Sequence, residues 1–303
     1  MKKFFLTGAI TLSLLLCNTT ADAAHYFTQG YAQGSDTPYG DNTSVGNYAK
    51  TSDAKIYYEV YGKGSPILIL HGGGVGSPYE LGKMLDVLKE NHKLIVVSTR
   101  GHGRSEIGHS TITYKQKADD VIAVLDDLRL NEPVQIIGFS DGAYAAYEVA
   151  ALYPERVDRV AAIGAGTLEA GYFPDSLDFN ALASADKRFI DEQRKIQPEP
   201  KRWEKFLNDY MKFWHNQSVG EETFSAIKCP VLLIVGDEDD HAPVATVLAA
   251  HQLIENSRLC VVPKAWHTTF IDNYDVTFAA ISQFVNAPVE SLKPSKKLDA
   301  NSK

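Results

Sequence analysis

Short apolar runs recur along the chain and alternate with amphipathic segments of helical periodicity. An alternating, β-rich run and a series of continuously apolar runs predict strands at residues 55–61, 66–70, 94–97, 134–137, 160–163, 231–235 and 259–262. Helical patterns lie near residues 80–91, 113–129, 141–152, 243–254 and 273–285. Strands that alternate with helices predict an α/β protein whose mostly parallel, doubly wound sheet is covered on both faces.

One long segment interrupts this alternation. Residues 167–227 contain no buried-strand run but several charged helical windows. We interpret them as a helical lid inserted into a core formed by residues 51–166 and 228–286. One window carries large apolar side chains at helical spacing: Trp203, Phe206, Leu207, Tyr210, Phe213 and Trp214. Such a stripe either packs the lid onto the core or lines a pocket for a bulky, apolar substrate.

The first 23 residues have the pattern of a secretory signal peptide. Lys2 and Lys3 precede a mostly apolar stretch, and Ala21-Asp22-Ala23 supplies the small residues that a signal peptidase requires. We expect cleavage after Ala23, because the apolar stretch is too short for a stable membrane anchor. A lipoprotein signal at Cys17 is disfavoured by Leu16, which stands where a small residue is needed. The predicted location is therefore the periplasm or the extracellular medium.

The two ends of the mature chain lack periodicity. Residues 24–50 are rich in Gly, Ser, Thr, Asn and Tyr and predict an extended, loop-like arm. Residues 287–303 are polar and predict a disordered tail. The overall composition, with 44% hydrophobic and 22% charged residues and a net charge of −8, is that of an acidic globular protein. This charge argues against nucleic acid or an anionic membrane as a partner. The oligomeric state stays open.

A strand, a sharp turn and a helix carry the strongest chemical signal. Gly138-Phe139-Ser140-Asp141-Gly142 follows the strand at 134–137 and opens the helical pattern at 141–152. Such a turn exposes a serine hydroxyl to substrate, and its flanking glycines permit the crowded backbone. We therefore predict Ser140 as a nucleophile.

An acid and a histidine follow in the chain order that this turn requires. Four carboxylates crowd residues 237–240 after the strand at 231–235, and His267 follows the next strand. An imidazole there can accept the serine proton while a carboxylate orients it. We predict Asp239 as the acid, with Asp237 and Asp240 as alternatives, and His267 as the base. His241, within the acid's own loop, is interpreted as a surface residue.

A glycine-rich loop supplies the third chemical element. His71-Gly72-Gly73-Gly74 follows the strand at 66–70, and its backbone can turn N–H groups toward a developing oxyanion. We predict the N–H groups of Gly73, or less favourably Gly74, and Asp141 as the oxyanion hole. Candidate residues of the substrate pocket are Gly74, Phe139, Trp266, Trp203, Tyr210 and Trp214.

Together these motifs resemble the α/β-hydrolase fold-1 family of esterases, lipases and C–C hydrolases, over roughly residues 50–286. The resemblance rests on His71-Gly72-Gly73, the Gly138–Gly142 turn and His267, together with Arg100-Gly101-His102-Gly103-Arg104-Ser105 and the Gly236 to Asp239 loop with Pro243. The Ser-Asp-Gly turn is similar to that of valacyclovir hydrolase-like esterases. The resemblance implies a sheet of the eight-stranded type, a lid between strands six and seven, and no cofactor or metal.

The chain departs from the family pattern at two places. Ser98 stands where the family usually has Asp, in a loop that is mainly structural. Trp266 occupies a position that is usually Gly, so that its ring would narrow the site or shape the acyl pocket. A serine nucleophile, rather than an aspartate, disfavours dehalogenases and epoxide hydrolases.

The sequence therefore predicts a serine hydrolase that acts on a small-molecule substrate of the carboxylic ester class, in which lactones and macrolides are included. Two other hypotheses remain open. One is amide or C–C hydrolysis by the same triad, and the other is a ligand-binding protein of low turnover that keeps the hydrolase fold.

Overall fold

A computed structural model of the chain describes Phe27 and residues 34–292. The predicted signal peptide, its cleavage site and the last residues of the predicted tail lie outside the described residues. Within them, no helix has both the length and the apolar character needed to cross a membrane.

The core is a twisted sheet in the strand order β1-β2-β4-β3-β5-β6-β7-β8. The first two strands run antiparallel to their neighbours, and all later pairs are parallel. The predicted α/β fold with a mostly parallel sheet is thus confirmed. The strands are β1 Gly46–Lys50, β2 Lys55–Tyr61, β3 Ser65–Leu70, β4 His92–Val97, β5 Val134–Phe139, β6 Val157–Ile163, β7 Val231–Gly236 and β8 Ser257–Val262.

Helices cover both faces of the sheet, as a doubly wound fold requires. The apolar residues of α2, α3 and α8 pack on one face, and those of α1 and α10 pack on the other. The α-helices are α1 Gly82–Leu88, α2 Tyr114–Asp127, α3 Asp141–Leu152, α4 Phe179–Ala185, α5 Lys187–Ile196, α6 Pro200–His215, α7 Glu221–Ala226, α8 Val244–Leu253, α9 Thr269–Asp272 and α10 Tyr274–Asn286.

Helices α4 to α7, called the inserted helices below, lie in the chain between β6 and β7. Helices α4 to α6 form a small apolar cluster together with Ile107, in which Phe189, Trp203 and Leu207 are almost completely buried. The inserted helices thus occupy the segment that the sequence analysis interpreted as a lid. Their action as a lid stays a prediction.

Two boundaries differ from the predictions. The end of the predicted arm forms β1, whose five residues pair with Lys55–Glu59 of β2. Val289–Leu292, predicted to be disordered, form a 3₁₀ turn. Arg258 donates hydrogen bonds to the carbonyls of Ser291 and Leu292, and the Leu292 side chain is buried. Both segments are ordered by long-range contacts that local composition does not encode.

The two cysteines of the described chain, Cys229 and Cys260, are free thiols. Cys260 lies opposite Ile234 in the parallel register of β7 and β8, so that Cys229 is displaced along the neighbouring strand. Burial raises the pKa of the Cys229 thiol to about 12, which keeps it protonated and unreactive near neutral pH.

Candidate active site

Ser140 sits at the tightest point of the turn between β5 and α3. Its backbone has φ 51° and ψ −119°, a conformation that costs an L-residue on the order of 1–3 kcal/mol. Its N–H donates to the carbonyl of Ile163, 2.7 Å away, which ties the turn to β6. A Cβ atom on Gly138 would lie 2.5 Å from the Gly142 carbonyl oxygen, so the turn has no room for a side chain there. The surrounding sheet therefore holds the serine in a strained, exposed position.

Ser140, His267 and Asp239 form one continuous hydrogen-bonded chain. His267 Nε2 lies 2.8 Å from Ser140 Oγ, and its Nδ1 lies 2.9 Å from Asp239 Oδ2. The three residues follow β5, β8 and β7, whose carboxyl ends share one edge of the sheet. This is the edge where open α/β sheets bind their ligands.

Asp239 is also held by the backbone of its own loop. The N–H groups of His241 and Ala242 donate to its Oδ1 at 2.9 and 2.8 Å. Burial by itself raises the pKa of this carboxyl, but the hydrogen bonds to His267 and to these N–H groups hold the pKa below its usual range. Asp239 thus remains ionised beside the imidazole.

The neighbouring acids of this loop are oriented away from His267. Asp237 accepts a hydrogen bond from the N–H of Ala265, and Asp240 contacts His241 Nδ1 at 2.8 Å. Glu238 is exposed. Of the carboxylates that the sequence left as alternatives, Asp239 is the one that the structure brings to the histidine.

The loop after β3 approaches the start of α3. A Cβ atom on Gly73 would lie 2.9 Å from Asp141 Cβ, so the two predicted oxyanion donors are direct neighbours. Neither the Gly73 nor the Asp141 N–H donates to another described backbone or side-chain group. His71 is buried and makes loop contacts, from Nδ1 to the Gly72 carbonyl and from Nε2 to the N–H of Thr99. Burial lowers the pKa of His71 to about 3, so this imidazole is neutral.

A cavity of about 520 Å³ opens over Ser140 and His267. Its walls are mainly apolar, a composition typical of small-molecule sites. The inserted helices and the segment before them contribute one wall, including Phe173, Leu177, Leu207, Met211 and Trp214, while Phe27, Val75, Phe139 and Ile271 come from other parts of the chain. The Phe139 ring lies 4.9 Å from the His267 ring and so forms part of the floor.

Three of the six predicted pocket residues line this cavity, namely Gly74, Phe139 and Trp214. The prediction for Trp203, Tyr210 and Trp266 is wrong. Trp203 is buried against Phe179 within the inserted helices, and Tyr210 points its hydroxyl to Asp141. Trp266 is 54% exposed and lies outside the cavity lining, and its backbone N–H donates to Asp272.

His241, which the sequence analysis interpreted as a surface residue, also contacts the active site. It lines the cavity, and its ring stacks on that of His267. The metal-ligand atoms of Asp239, His241 and His267 lie within 4.8 Å of one another. Hydrogen bonds to Ser140 and Asp239 already use both nitrogens of His267.

Sequence reasoning missed a buried ionic cluster beneath the turn. The carboxylate of Asp141 accepts hydrogen bonds from Lys117 Nζ, from the Tyr210 hydroxyl at 2.8 Å and from Trp214 Nε1 at 2.9 Å. Burial alone raises the pKa of Asp141, but the Lys117 charge holds it below its usual range. The sequence does contain a sign of this cluster, because the charged residue Lys117 falls on the apolar stripe of α2 between Tyr114 and Val121.

Comparisons with known proteins agree with this fold. A family model described as "Alpha/beta hydrolase family" matches residues 67–280. YisY of Bacillus subtilis strain 168, an AB hydrolase superfamily protein, is 28% identical over 273 residues, which cover 80% of this chain and 100% of YisY.

Solved structures show the same architecture. The serine hydrolase CarC, involved in carbazole degradation, superimposes with a TM-score of 0.67 at 18% identity, over 80% of this chain and 98% of that chain. The enol-lactonase of Burkholderia xenovorans LB400 gives a TM-score of 0.67 at 19% identity, over 80% and 100% of the two chains. At such low identity the likeness shows the fold alone.

Proposed function

The chain belongs to the alpha/beta hydrolase family, and we propose that it is an exported serine hydrolase that cleaves carboxylic esters through an acyl-enzyme on Ser140. The observation that carries this proposal is the hydrogen-bonded chain from Ser140 Oγ through His267 to Asp239. A hydroxyl becomes an effective nucleophile when an oriented base removes its proton.

In the first half-reaction, His267 Nε2 accepts the Ser140 proton as Oγ attacks the ester carbonyl carbon. Asp239 accepts a hydrogen bond from Nδ1–H and stabilises the imidazolium that forms. The N–H groups of Gly73 and Asp141 donate to the oxyanion, and each such donor contributes ~3 kcal/mol to stabilising the transition state. His267 then protonates the departing alkoxide, which leaves as the alcohol.

In the second half-reaction, His267 removes a proton from water, whose oxygen attacks the acyl carbon. Collapse of this second tetrahedral intermediate releases the carboxylic acid and returns the proton to Ser140. The cavity of about 520 Å³ and its apolar walls favour a medium-sized, largely apolar ester, a class that includes lactones.

The proposal that the protein is exported rests on the signal-peptide pattern of its first 23 residues. We expect protein from the periplasm or the culture medium to begin near Ala24, and N-terminal sequencing measures this directly. An intact Met1 or an uncleaved leader on the secreted protein would contradict export by cleavage.

The decisive experiment is to incubate the purified mature protein with a fluorophosphonate probe and to map the labelled peptide by mass spectrometry. We expect labelling at Ser140, and its loss in His267→Ala. Folded protein that is not labelled would refute the proposal and would favour a ligand-binding protein. A panel of ester, amide and vinylogous diketone substrates then separates ester hydrolysis from amide or C–C hydrolysis.

A further inference from the structure

Lys117 carries an ammonium group in the interior of the protein. Its side chain is almost completely buried, and its Nζ donates to Asp141 Oδ2 and to the Tyr210 hydroxyl. Three aromatic rings surround it, with centroids 4.4 to 5.5 Å from Nζ: Tyr114, Tyr210 and Phe213. A buried ammonium is costly unless it is paired, so its partner Asp141 is the key to its role.

The Asp141 carboxylate lies directly behind the proposed oxyanion site. The backbone N–H of Asp141 is one of the two proposed oxyanion donors. The Asp141 side chain packs against Gly73, whose N–H is the second proposed donor. An uncompensated carboxylate there would oppose the negative charge that develops on the substrate oxygen, since like charges interact strongly at short range in a water-poor site. The turn therefore needs a nearby cation.

We infer that Lys117 is a positioning residue that acts through Asp141: its ammonium cancels the Asp141 charge, so that the oxyanion forms beside a neutral pair. This inference rests on the proposed function. It assigns a residue on α2, remote in sequence from the triad, to the stabilisation of the tetrahedral intermediate.

A purely mechanical role is the competing explanation. Tyr210 and Trp214 of α6 both donate to Asp141, so Lys117 could simply help to fasten α6 over the turn. In that case Asp141→Asn, which disturbs all three contacts of the carboxylate, would be at least as harmful as loss of the Lys117 ammonium. If charge cancellation matters, removing the cation is far more harmful than removing the carboxylate.

The test measures kcat and KM with p-nitrophenyl butyrate for Lys117→Met, Asp141→Asn and the double variant. We expect Lys117→Met to lower kcat by about 100-fold with little change in KM. Asp141→Asn should lower kcat by about fivefold, because its amide oxygen can still accept from Trp214. The double variant should recover at least about tenfold in kcat over Lys117→Met.

A pH profile supplies a readout that mechanical support would not change. Without the ammonium, the titratable groups around Asp141 are His71, His102, Tyr114, Tyr144 and Tyr210, with Asp120 and Arg100 beyond them. None of the near groups supplies a fixed positive charge, so the pKa of Asp141 rises in Lys117→Met. The defect in kcat should therefore shrink as the pH falls and grow as the pH rises, and the double variant should lack this dependence.

Lys115→Met is the matched control, because Lys115 is exposed on the same helix and pairs with Asp119. Circular dichroism and thermal unfolding verify that each variant folds. A loss of kcat in Asp141→Asn equal to or larger than that in Lys117→Met would overturn the inference, as would a double variant no faster than Lys117→Met.

If Lys117→Met does not fold, Asp141→Asn decides the question. A loss of kcat above about 50-fold in that variant overturns the inference, and a loss near fivefold supports it. A parent enzyme that neither hydrolyses esters nor reacts with fluorophosphonate refutes the proposed function instead, before any variant is compared.

Discussion

The imidazole rings of His241 and His267 are stacked, with centroids 4.7 Å apart and planes inclined by 23°. His241 is itself anchored by Asp240, which contacts its Nδ1 at 2.8 Å. The base is thus supported on one side by Asp239 and on one face by a second ring that also lines the cavity.

This stacking leads to a prediction for His241→Ala. An aromatic pair of this kind contributes about 0.5–1.5 kcal/mol, and we expect kcat/KM for ester hydrolysis to fall by about two- to tenfold. His241→Phe keeps a ring in place and should retain most of the activity. Equal losses in both variants would instead assign the effect to the hydrogen bond with Asp240.

Arg100 joins the loop after β4 to two other parts of the core. Its guanidinium forms a two-bond ion pair with Asp120, at 2.9 and 2.7 Å, and contacts Asp53 at 2.8 Å. Arg100→Met would leave two carboxylates without their cation, which we expect to lower the free energy of unfolding by about 3–5 kcal/mol.

Urea denaturation measures this change. Lys187→Met is the matched control, because Lys187 forms an exposed ion pair with Asp191 on the surface of α5. Such pairs contribute under about 0.5 kcal/mol. An Arg100 variant as stable as this control would show that the buried pair does not stabilise the fold.

Glu80 provides a prediction for the pH dependence of stability. It lines the cavity and accepts a hydrogen bond from the N–H of Gly72 at 2.6 Å, and burial raises its pKa to about 8. Because the unfolded chain loses this proton near the ordinary value of 4.5, the folded state binds more protons between pH 4.5 and 8. The contribution of Glu80 to stability is therefore full below pH 4.5 and declines as the pH rises to 8.

Glu80→Gln removes this titration. We expect the free energy of unfolding of the variant, relative to that of the parent, to rise from pH 5 to about pH 8 in urea denaturation and then to level off. Glu90→Gln, at an exposed acid, is the control and should run parallel to the parent. A difference in the free energy of unfolding between Glu80→Gln and the parent that stays constant over this range would contradict the raised pKa of Glu80.

The strained backbone of Ser140 can be measured without catalysis. With φ at 51°, this position suits glycine better than any residue with a Cβ atom. Among two variants that both lack the hydroxyl, Ser140→Gly should unfold at a higher temperature than Ser140→Ala, by the equivalent of about 1 kcal/mol. The reverse order would show that the turn stores no strain.

Periodicity was sufficient for the α/β architecture and for the edge at which the chemistry gathers. Parallel strands place their carboxyl ends at one edge of the sheet, so residues after three buried runs share that edge wherever they stand in the chain. Ser140 and His267 could therefore be predicted as nucleophile and base from the sequence alone. The strand β1 escaped prediction because Gly46–Lys50 is ordered by pairing with β2 rather than by its own composition.

Side-chain partnerships depended on the tertiary structure. An apolar stripe shows which face of α6 is buried, but the placement of the helix decides that Trp214 reaches the cavity while Trp203 packs internally. Likewise, four successive acids are equivalent in sequence, and the path of the loop after β7 turns Asp239 alone of them to His267. The spacing of residues along the chain determines which of them share one face of a helix. The contact between two side chains from separate elements depends on how those elements pack against each other.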